Sequence, residues 1–182
     1  MAIRPIVMFP NDVLATKAEA VRTIDAEVRQ LVDDMIETMY DAPGVGLAAP
    51  QVGVLKRVTV IDVSARDETG QLYVFINPEI VHREGKIMWE EGCLSLPGIY
   101  EKVARAAKVV VKALDEDGNP FEVEAEELFA VAIQHELDHL DGVMFLDRLS
   151  HLKRRLAIKR YKKLLLRADE EDDDEQAEED RG

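Results

Sequence analysis

The sequence has few of the features that mark secreted, membrane-spanning or disulfide-stabilised proteins. It contains a single cysteine, Cys93, which excludes an internal disulfide framework. Its apolar runs are far shorter than the roughly 18–20 residues that a membrane span needs. The N-terminal residues include two prolines and no apolar segment of a secretory signal. We therefore expect a protein of a reducing compartment with no membrane partner.

Acidic and basic residues are unevenly distributed along the chain. Residues 148–168 contain nine lysines and arginines and no acid, whereas residues 169–182 contain ten acids and one arginine. These two segments cancel, so the rest of the chain carries the whole net charge of −14. An acidic body repels phosphate backbones. We therefore expect no DNA partner, and any nucleic-acid contact should be confined to the basic segment.

Hydrophobic patterning predicts a helix, then several strands, then two helices. Apolar residues at helical spacing predict an amphipathic helix over residues 25–40 and another over 126–140. Runs rich in β-branched residues predict strands over residues 57–63, 72–76 and 103–114, and Asp117-Gly118 predicts a hairpin turn from the last of these to the alternating Phe121 and Val123. This order predicts an α+β fold, in which short and mostly antiparallel strands pack around a central helix and a further helix lies at the C-terminal end.

The chain length predicts one domain followed by a tail. The 182 residues are enough for one well-cored domain and too few for two. We expect this domain to span residues 1–168, with a basic C-terminal helix over residues 150–167 that Ser150 can cap. Residues 169–182 are acidic and of low complexity, so they cannot bury a core and we expect them to be disordered.

A His-Glu-Leu-Asp-His pattern in the segment 126–140 is the strongest chemical signal. His135 and His139 are four residues apart, which places both imidazoles on one face of a helix. Two imidazoles in this arrangement can bind one metal ion, and the intervening Glu136 is close enough to act as a general base. The pattern therefore predicts a metal site on this helix.

A catalytic metal site of this kind needs a third protein ligand. The metzincin pattern would place a histidine where this chain has Phe145, and no glutamate follows His139 before Glu170. Asp147 is one candidate. Cys93 is another, because a thiolate and two imidazoles together suit Fe²⁺ or Zn²⁺. The residue types alone leave both candidates open.

A third segment, residues 44–51, is rich in small residues. Small residues let another backbone approach closely, and the amide of Gln51 can donate a hydrogen bond to developing negative charge. The segment lacks the lysine and hydroxyl residue of a phosphate-binding loop.

Together the three segments resemble the peptide deformylase family. Its motifs are G-Φ-G-Φ-A-A-x-Q, E-G-C-L-S and Q-H-E-x-D-H, and this chain matches all of them, in the same order, at residues 44–51, 91–95 and 134–139. The resemblance covers about residues 3–167. It implies a monomeric, metal-dependent hydrolase of the bacterial cytoplasm. Its expected activity is to remove the formyl group from the N-terminal formylmethionine of newly synthesised polypeptides and release formate.

The resemblance also implies a role for each motif residue. It assigns three ligands to one divalent metal, with water in the fourth position: Cys93, His135 and His139. The native metal would be Fe²⁺, with Ni²⁺, Co²⁺ or Zn²⁺ as replacements. Glu136 would take a proton from the attacking water and pass it to the leaving nitrogen. The side chain of Gln51 and the backbone N–H of Leu94 would stabilise the oxyanion.

The same resemblance suggests how a formylated peptide is held. An extended substrate could add to the segment around Val45 and Gly46 by backbone hydrogen bonds, with Gly92 as a further substrate-binding residue. The candidates for an apolar methionine pocket are equally consistent with an ordinary core: Val45, Leu128, Val131 and Ala132. Arg105 is expected to be a surface or structural residue.

Two other functions and one additional contact stay open on the sequence alone. A zinc-dependent peptidase could use the same helix, although its downstream ligand is missing. A metal-binding or ribosome-associated module without activity would need a closed ligand shell. The basic segment Ser150–Arg167 is consistent with a solvated helix packed by its leucines and, by resemblance, with docking on ribosomal RNA and protein.

Overall fold

The computed structural model describes residues 2–64 and 71–179. Within these ranges the strands are β1 (Gly46–Ala48), β2 (Val58–Asp62), β3 (Leu72–Glu84), β4 (Ile87–Cys93), β5 (Leu96–Arg105), β6 (Lys108–Leu114) and β7 (Pro120–Glu126). The α-helices of the same ranges are α1 (Ala26–Asp41), α2 (Glu127–Leu140) and α3 (His151–Glu179). The predicted α+β class is confirmed.

The strands form two antiparallel sheets. The larger sheet has the order β1-β2-β3-β6-β7, and β4 and β5 pair with each other as a separate hairpin. The short strand β1 pairs with β2 on one side only, so its other edge is not part of the sheet. This free edge is the part of the sheet that lies nearest to the candidate site.

Helix α1 follows the predicted amphipathic pattern. Asp25 caps its N-terminus by accepting a hydrogen bond from the backbone N–H of Val28. Its buried apolar residues pack against β1 and β2 in one core cluster: Val28, Leu31, Val32, Met35 and Met39. The predicted helix over residues 25–40 is therefore confirmed to within one residue.

Helix α2 is the central helix of the fold. It packs against β1, β2 and β7, and every residue from Ala130 to Leu140 is buried. Burial on all sides requires the polar side chains of this helix to find partners inside the protein. Gly142, with φ of 73°, lies just beyond its C-terminal end.

The predicted strand over residues 103–114 is wrong as a single element. The run is divided between β5, which belongs to the hairpin, and β6, which belongs to the larger sheet. At the break, Ala106 donates to Oε1 of Gln134 and its carbonyl accepts from Nε2 of the same side chain. A glutamine of α2 thus satisfies backbone groups that would otherwise pair with a neighbouring strand.

Helix α3 begins where the sequence predicts it. The hydroxyl of Ser150 accepts from the backbone N–H of Lys153, and the buried side chains of Ala157 and Tyr161 pack against the residues of β5. The helix continues to Glu179, beyond the expected end at residue 167. Backbone hydrogen bonds within a helix need no apolar residues. The division into a domain over residues 1–168 and a disordered tail stays a prediction.

None of the helices in the described part of the chain is both long and apolar enough to cross a membrane.

Candidate metal centre

Two helical histidines and one strand cysteine meet at the centre of the molecule. His135 and His139 lie one turn apart on α2, and Cys93 lies at the end of β4. The Nε2 atoms of the two histidines are 3.3 Å apart, and the Sγ of Cys93 is 3.3 Å from Nε2 of His139. All three donor atoms lie within 4.8 Å of one another. The fold therefore brings together the three residues that the resemblance assigns as metal ligands.

The donor spacing fits a tetrahedrally bound metal ion. Metal–nitrogen bonds of about 2.0–2.1 Å and metal–sulfur bonds of about 2.3 Å place tetrahedral donors roughly 3.3–3.6 Å apart. The observed separations between Nε2 of His139 and its two neighbours agree with this range. A soft thiolate and two imidazoles are a donor set for Fe²⁺ or Zn²⁺ and a poor one for Mg²⁺ or Ca²⁺.

Asp147 is not a third ligand. Its carboxylate accepts hydrogen bonds from the backbone N–H of Met144 and from Arg154, next to a short 3₁₀ turn. Phe145, at the metzincin ligand position, stacks on the ring of His135 with centroids 6.1 Å apart. Among the described residues, the groups that could hold a metal comprise Cys93 and the two histidines. Of the two candidates that the sequence left open, Cys93 is therefore the one that lies with the two histidines.

A buried carboxylate orients His135. The Nδ1 atom of this histidine lies 2.8 Å from Oε1 of Glu91, so its Nε2 atom faces the site. Fixing the outer nitrogen of a ligand histidine sets both its tautomer and its ring orientation. Glu91 is part of the E-G-C-L-S motif, and the sequence analysis gave it no role. A glutamate two residues before a ligand cysteine was the signal that could have suggested one.

Arg105 holds this carboxylate in place and also reaches α2. Its Nε and one terminal nitrogen each lie 2.8 Å from the oxygens of Glu91, and its other nitrogen lies 2.6 Å from Asp138. Asp138 is shared with Arg148 at 2.7 Å. The sequence predicts Arg105 to be a surface or structural residue. It is buried, so its contacts are those of a structural residue.

The surroundings of the two histidines shift their pKa values in opposite directions. Burial opposes charge on His135, but hydrogen bonds with Cys93 and Glu91 and Coulomb attraction from Cys93 and Glu136 outweigh it and raise its pKa well above the ordinary value. Burial lowers the pKa of His139 well below its ordinary value, and His135 and Arg105 lower it further. His139 is therefore neutral, which is the protonation state that a ligand histidine requires.

Glu136 lies beside the donors with an unsatisfied carboxylate oxygen. Its Oε2 is buried and has no hydrogen-bond partner within the described part of the chain. Burial raises the pKa of Glu136 to about 7. The backbone of Gly46 lies so close to this carboxylate that a Cβ there would fall 2.6 Å from Oε1. The arrangement provides a proton acceptor whose pKa is close to neutral pH.

Gln51 points into the same centre. Its Oε1 accepts from the backbone N–H of Ala48 at 2.9 Å, and this fixes the amide group. Its Nε2 is therefore turned towards the hydroxyl of Ser95 at 3.2 Å and the Sγ of Cys93 at 3.6 Å. The side chain is fully buried. A donor held in advance next to the metal donors is the feature that an oxyanion-stabilising group needs.

A cleft of about 320 Å³ opens beside this centre, and Cys93 and His135 lie in its walls. One wall is the free edge of the sheet and the residues before it, including Val45 and Gly46. The other wall is the β4–β5 hairpin, including Gly92, Cys93 and Leu94. The three predicted substrate-binding residues therefore lie in one cleft with Cys93 and His135.

The predicted methionine pocket is only partly supported. Val45 lines the cleft, whereas Leu128, Val131 and Ala132 do not belong to its walls. Leu128 and Ala132 pack in the core between α2 and the larger sheet, and Val131 is also buried. These three residues of α2 therefore have the surroundings of ordinary core residues.

Comparison with known proteins agrees with this centre. Residues 3–155 match the model of the polypeptide deformylase family. The chain belongs to that family. It is 56% identical over 164 residues to the peptide deformylase of Acidobacterium capsulatum, an alignment that covers 90% of this chain and 96% of that protein.

Solved structures of the family share the fold. The peptide deformylase of Legionella pneumophila superposes with a TM-score of 0.86 at 49% identity, covering 92% of this chain and 98% of that one. The peptide deformylase of Ehrlichia chaffeensis in complex with actinonin superposes with a TM-score of 0.85 at 42% identity, covering 90% and 98%.

Membership of this family establishes the reaction. The protein is a metal-dependent hydrolase that removes the formyl group from N-terminal formylmethionine of newly synthesised polypeptides. The two alternatives from the sequence, a zinc peptidase and a module without activity, are not supported. The donor set contains the cysteine of the deformylase motif and no downstream ligand of the peptidase type.

Proposed function

We propose that Cys93, His135 and His139 hold one divalent metal ion and that Glu136 is the general base of formyl hydrolysis. The observation that carries this assignment is the meeting of three donor atoms within 4.8 Å beside a buried, partly unpaired carboxylate. When bound, the metal supplies Lewis-acid chemistry, because it polarises the formyl carbonyl and lowers the pKa of water.

The protein's own groups then guide the proton and the charge. Glu136 accepts the proton of the attacking water and donates it to the amide nitrogen as the C–N bond breaks, so formate and a free amine are the products. The Nε2 of Gln51 and the backbone N–H of Leu94 donate hydrogen bonds to the oxyanion. Glu91 acts through His135, whose ring orientation it fixes.

The peptide binds as an additional strand. The edge of β1 is free, and Val45 and Gly46 lie on this edge within the cleft. Backbone hydrogen bonds to these residues hold an extended chain whatever its side chains, which suits an enzyme that acts on many different new polypeptides. Gly92 lies on the opposite wall, where a Cβ would fall 2.6 Å from the ring of Tyr100.

Fe²⁺ is the metal that we assign to the site in the cell, with Zn²⁺, Ni²⁺ or Co²⁺ as replacements. One thiolate and two imidazoles bind each of these ions. Anaerobic purification followed by elemental analysis tests this assignment. We also propose that the protein is a monomer that works in the bacterial cytoplasm, where nascent chains arise.

Cys93→Ala tests the donor set. The substitution removes the thiolate, so we expect metal content to fall from about one ion per chain to a small fraction of that value. Ser95→Ala is the matched control, because this hydroxyl contacts Gln51 but belongs to no donor set. Full metal occupancy in Cys93→Ala would overturn the ligand assignment.

We further propose that α3 docks on the ribosome. Its outward face carries the exposed side chains of Leu152 and Leu156 beside several exposed cations: Lys153, Arg155, Lys159 and Arg160. Apolar side chains left in water on a basic helix suit a surface that offers both protein and RNA.

Neutralising the basic face tests this docking. Changing Lys153, Arg154, Arg155, Lys159 and Arg160 to glutamine should weaken co-sedimentation with ribosomes and make it less sensitive to salt, because fewer counterions are released. Turnover of a short formylated peptide should not change. Unaltered co-sedimentation would favour a solvated helix without a ribosomal role.

A further inference from the structure

A second groove lies next to the catalytic cleft, between β5 and α3. Its volume is about 380 Å³. One side is formed by Gly98, Ile99 and Tyr100 of β5, and the other by Leu164 and three cationic residues of α3. None of the residues assigned above to the metal centre or to substrate binding lines this groove, and Arg160 also belongs to the basic face of α3 described above.

The groove is continuous with the cleft. Gly98, Ile99 and Tyr100 line both cavities. The side chain of Tyr100 is 61% exposed, so the two cavities share a wall of β5 that is open to solvent. An extended peptide that leaves the cleft along this wall would therefore pass directly into the groove.

The position of α3 on this wall is fixed by close packing. Tyr161 is buried in the cluster that contains Ile99, and one turn later Leu164 lies over Gly98. Gly98 has φ of 81°, and a Cβ there would fall 3.0 Å from Leu164. A glycine is needed at this position both for the backbone conformation and for the approach of the helix.

The charge of the groove is positive and only partly neutralised. Arg160 forms an ion pair with Glu101 of β5. Lys163 and Arg167 have no carboxylate within ion-pair distance among the residues that the structure describes. Two cations are therefore available to a ligand that reaches the groove.

We propose that this groove binds the downstream part of the formylated substrate and favours acidic side chains there, through Lys163 and Arg167. The proposal rests on the assignment of the cleft as the peptide-binding site. The ring of Tyr100 lies against Gly92 on the wall of the cleft, and Tyr100 also lines the groove. A substrate chain that passes Tyr100 therefore enters the groove, and the preference should fall on residues downstream of the methionine.

Formate release from matched peptides tests the preference. The peptides are formyl-Met-Ala-Ala followed by two glutamates, two glutamines or two lysines, with formyl-Met-Ala as the short reference. We expect kcat/KM for the glutamate peptide to exceed that for the glutamine peptide about 1.5- to fivefold at low salt, the range that exposed ion pairs give. The lysine peptide should be the poorest, and the differences should shrink at high salt.

Variants of α3 separate the effect of the groove cations from the effect of the overall positive charge of the helix. Lys163→Gln combined with Arg167→Gln should abolish the glutamate preference and leave turnover of formyl-Met-Ala unchanged. Lys162→Gln is the matched control, because Lys162 is an exposed neighbour that does not line the groove. This control should keep the preference.

Three results would overturn the proposal. They are equal kcat/KM for the glutamate and glutamine peptides in the unaltered protein, a preference that survives in the double variant, and an equal loss of preference in Lys162→Gln. If formyl-Met-Ala itself yielded no formate, the assignment of the cleft would fail together with this proposal. Normal turnover of formyl-Met-Ala without discrimination among the longer peptides would overturn the groove alone.

Discussion

Two glycines allow the walls of the cleft to approach the reacting groups closely. A Cβ on Gly46 would lie 2.6 Å from Oε1 of Glu136, and a Cβ on Gly92 would lie 2.6 Å from the ring of Tyr100. Both distances are well inside van der Waals contact. At this scale, the motif glycines are needed because Gly46 approaches Glu136 of α2, and Gly92 approaches Tyr100 of β5, so closely that neither position has room for a side chain.

Gly46→Ala should therefore reduce activity without removing the metal. The new methyl group displaces the Glu136 carboxylate, and a misplacement of about 1 Å can cost roughly 10²-fold in rate. Gly44→Ala is the comparison, because a Cβ there meets the end of the Leu94 side chain at 2.7 Å, and that side chain can rotate away. We expect a much smaller loss in Gly44→Ala. Steady-state kinetics with metal analysis checks both, and equal losses would contradict the account.

At the scale of elements, a buried ion-pair network joins the hairpin to α2. Arg105 on β5 bridges Glu91 on β4 and Asp138 on α2, and the three side chains are all buried. The guanidinium and His135 lower the pKa of Glu91 against the opposing effect of burial. The network holds the strand that carries Cys93 against the helix that carries the two histidines.

Arg105→Met should destabilise the fold strongly. It leaves two buried carboxylates without their cation, and breaking a buried pair in this way costs about 3–5 kcal/mol. Arg29→Ala breaks the exposed pair with Asp117 and should cost less than about 1 kcal/mol. Urea unfolding with the metal chelated in all samples gives both values. A loss below about 1 kcal/mol in Arg105→Met would contradict the structural role of the network.

Local patterns predict the helices well because their signals are local. The cap at Asp25, the apolar spacing of α1 and the glycine after α2 all lie within or next to the elements that they define. The break between β5 and β6 is not local, since it depends on Gln134 from a distant helix. The predicted strands also omit β4, where the buried position is held by the acidic residue Glu91 and no apolar alternation marks the strand.

The sequence motifs predict the metal donors, but they do not predict the residues that hold the donors in place. His135 and His139 follow from residue type and spacing, whereas the choice of Cys93 over Asp147 follows from the resemblance to the deformylase motifs. The role of Glu91 depends on a 2.8 Å contact across 44 residues of sequence, and no spacing rule gives it. Spacing could not separate the candidate pocket positions on α2 from core positions, because this helix is buried on every side.

At the scale of the whole molecule, charge separates the catalytic body from its C-terminal end. The body is strongly acidic, the first turns of α3 are basic, and the last part of the chain is acidic again. An acidic segment next to a basic one can mask it from an anionic partner and so weaken binding.

Deleting residues 169–182 tests this masking. If α3 docks on the ribosome, the truncated protein should co-sediment with ribosomes more tightly at low salt, because the competing acids are gone. Turnover of a short formylated peptide should stay the same, since the deleted residues lie outside all three motifs. Faster turnover after the deletion would mean that this segment reaches the active site.

The central claim is that these residues hydrolyse a formyl group with Glu136 as the base. The most direct measurement is formate release from formyl-Met-Ala by the unaltered protein, Glu136→Gln and the matched control Glu127→Gln, which changes an exposed residue of the same helix. We predict that Glu136→Gln retains its metal but is slower by about 10²–10⁴-fold, that Glu127→Gln matches the unaltered protein, and that no sample cleaves internal peptide bonds. Formate release by Glu136→Gln within tenfold of the unaltered protein would contradict the account.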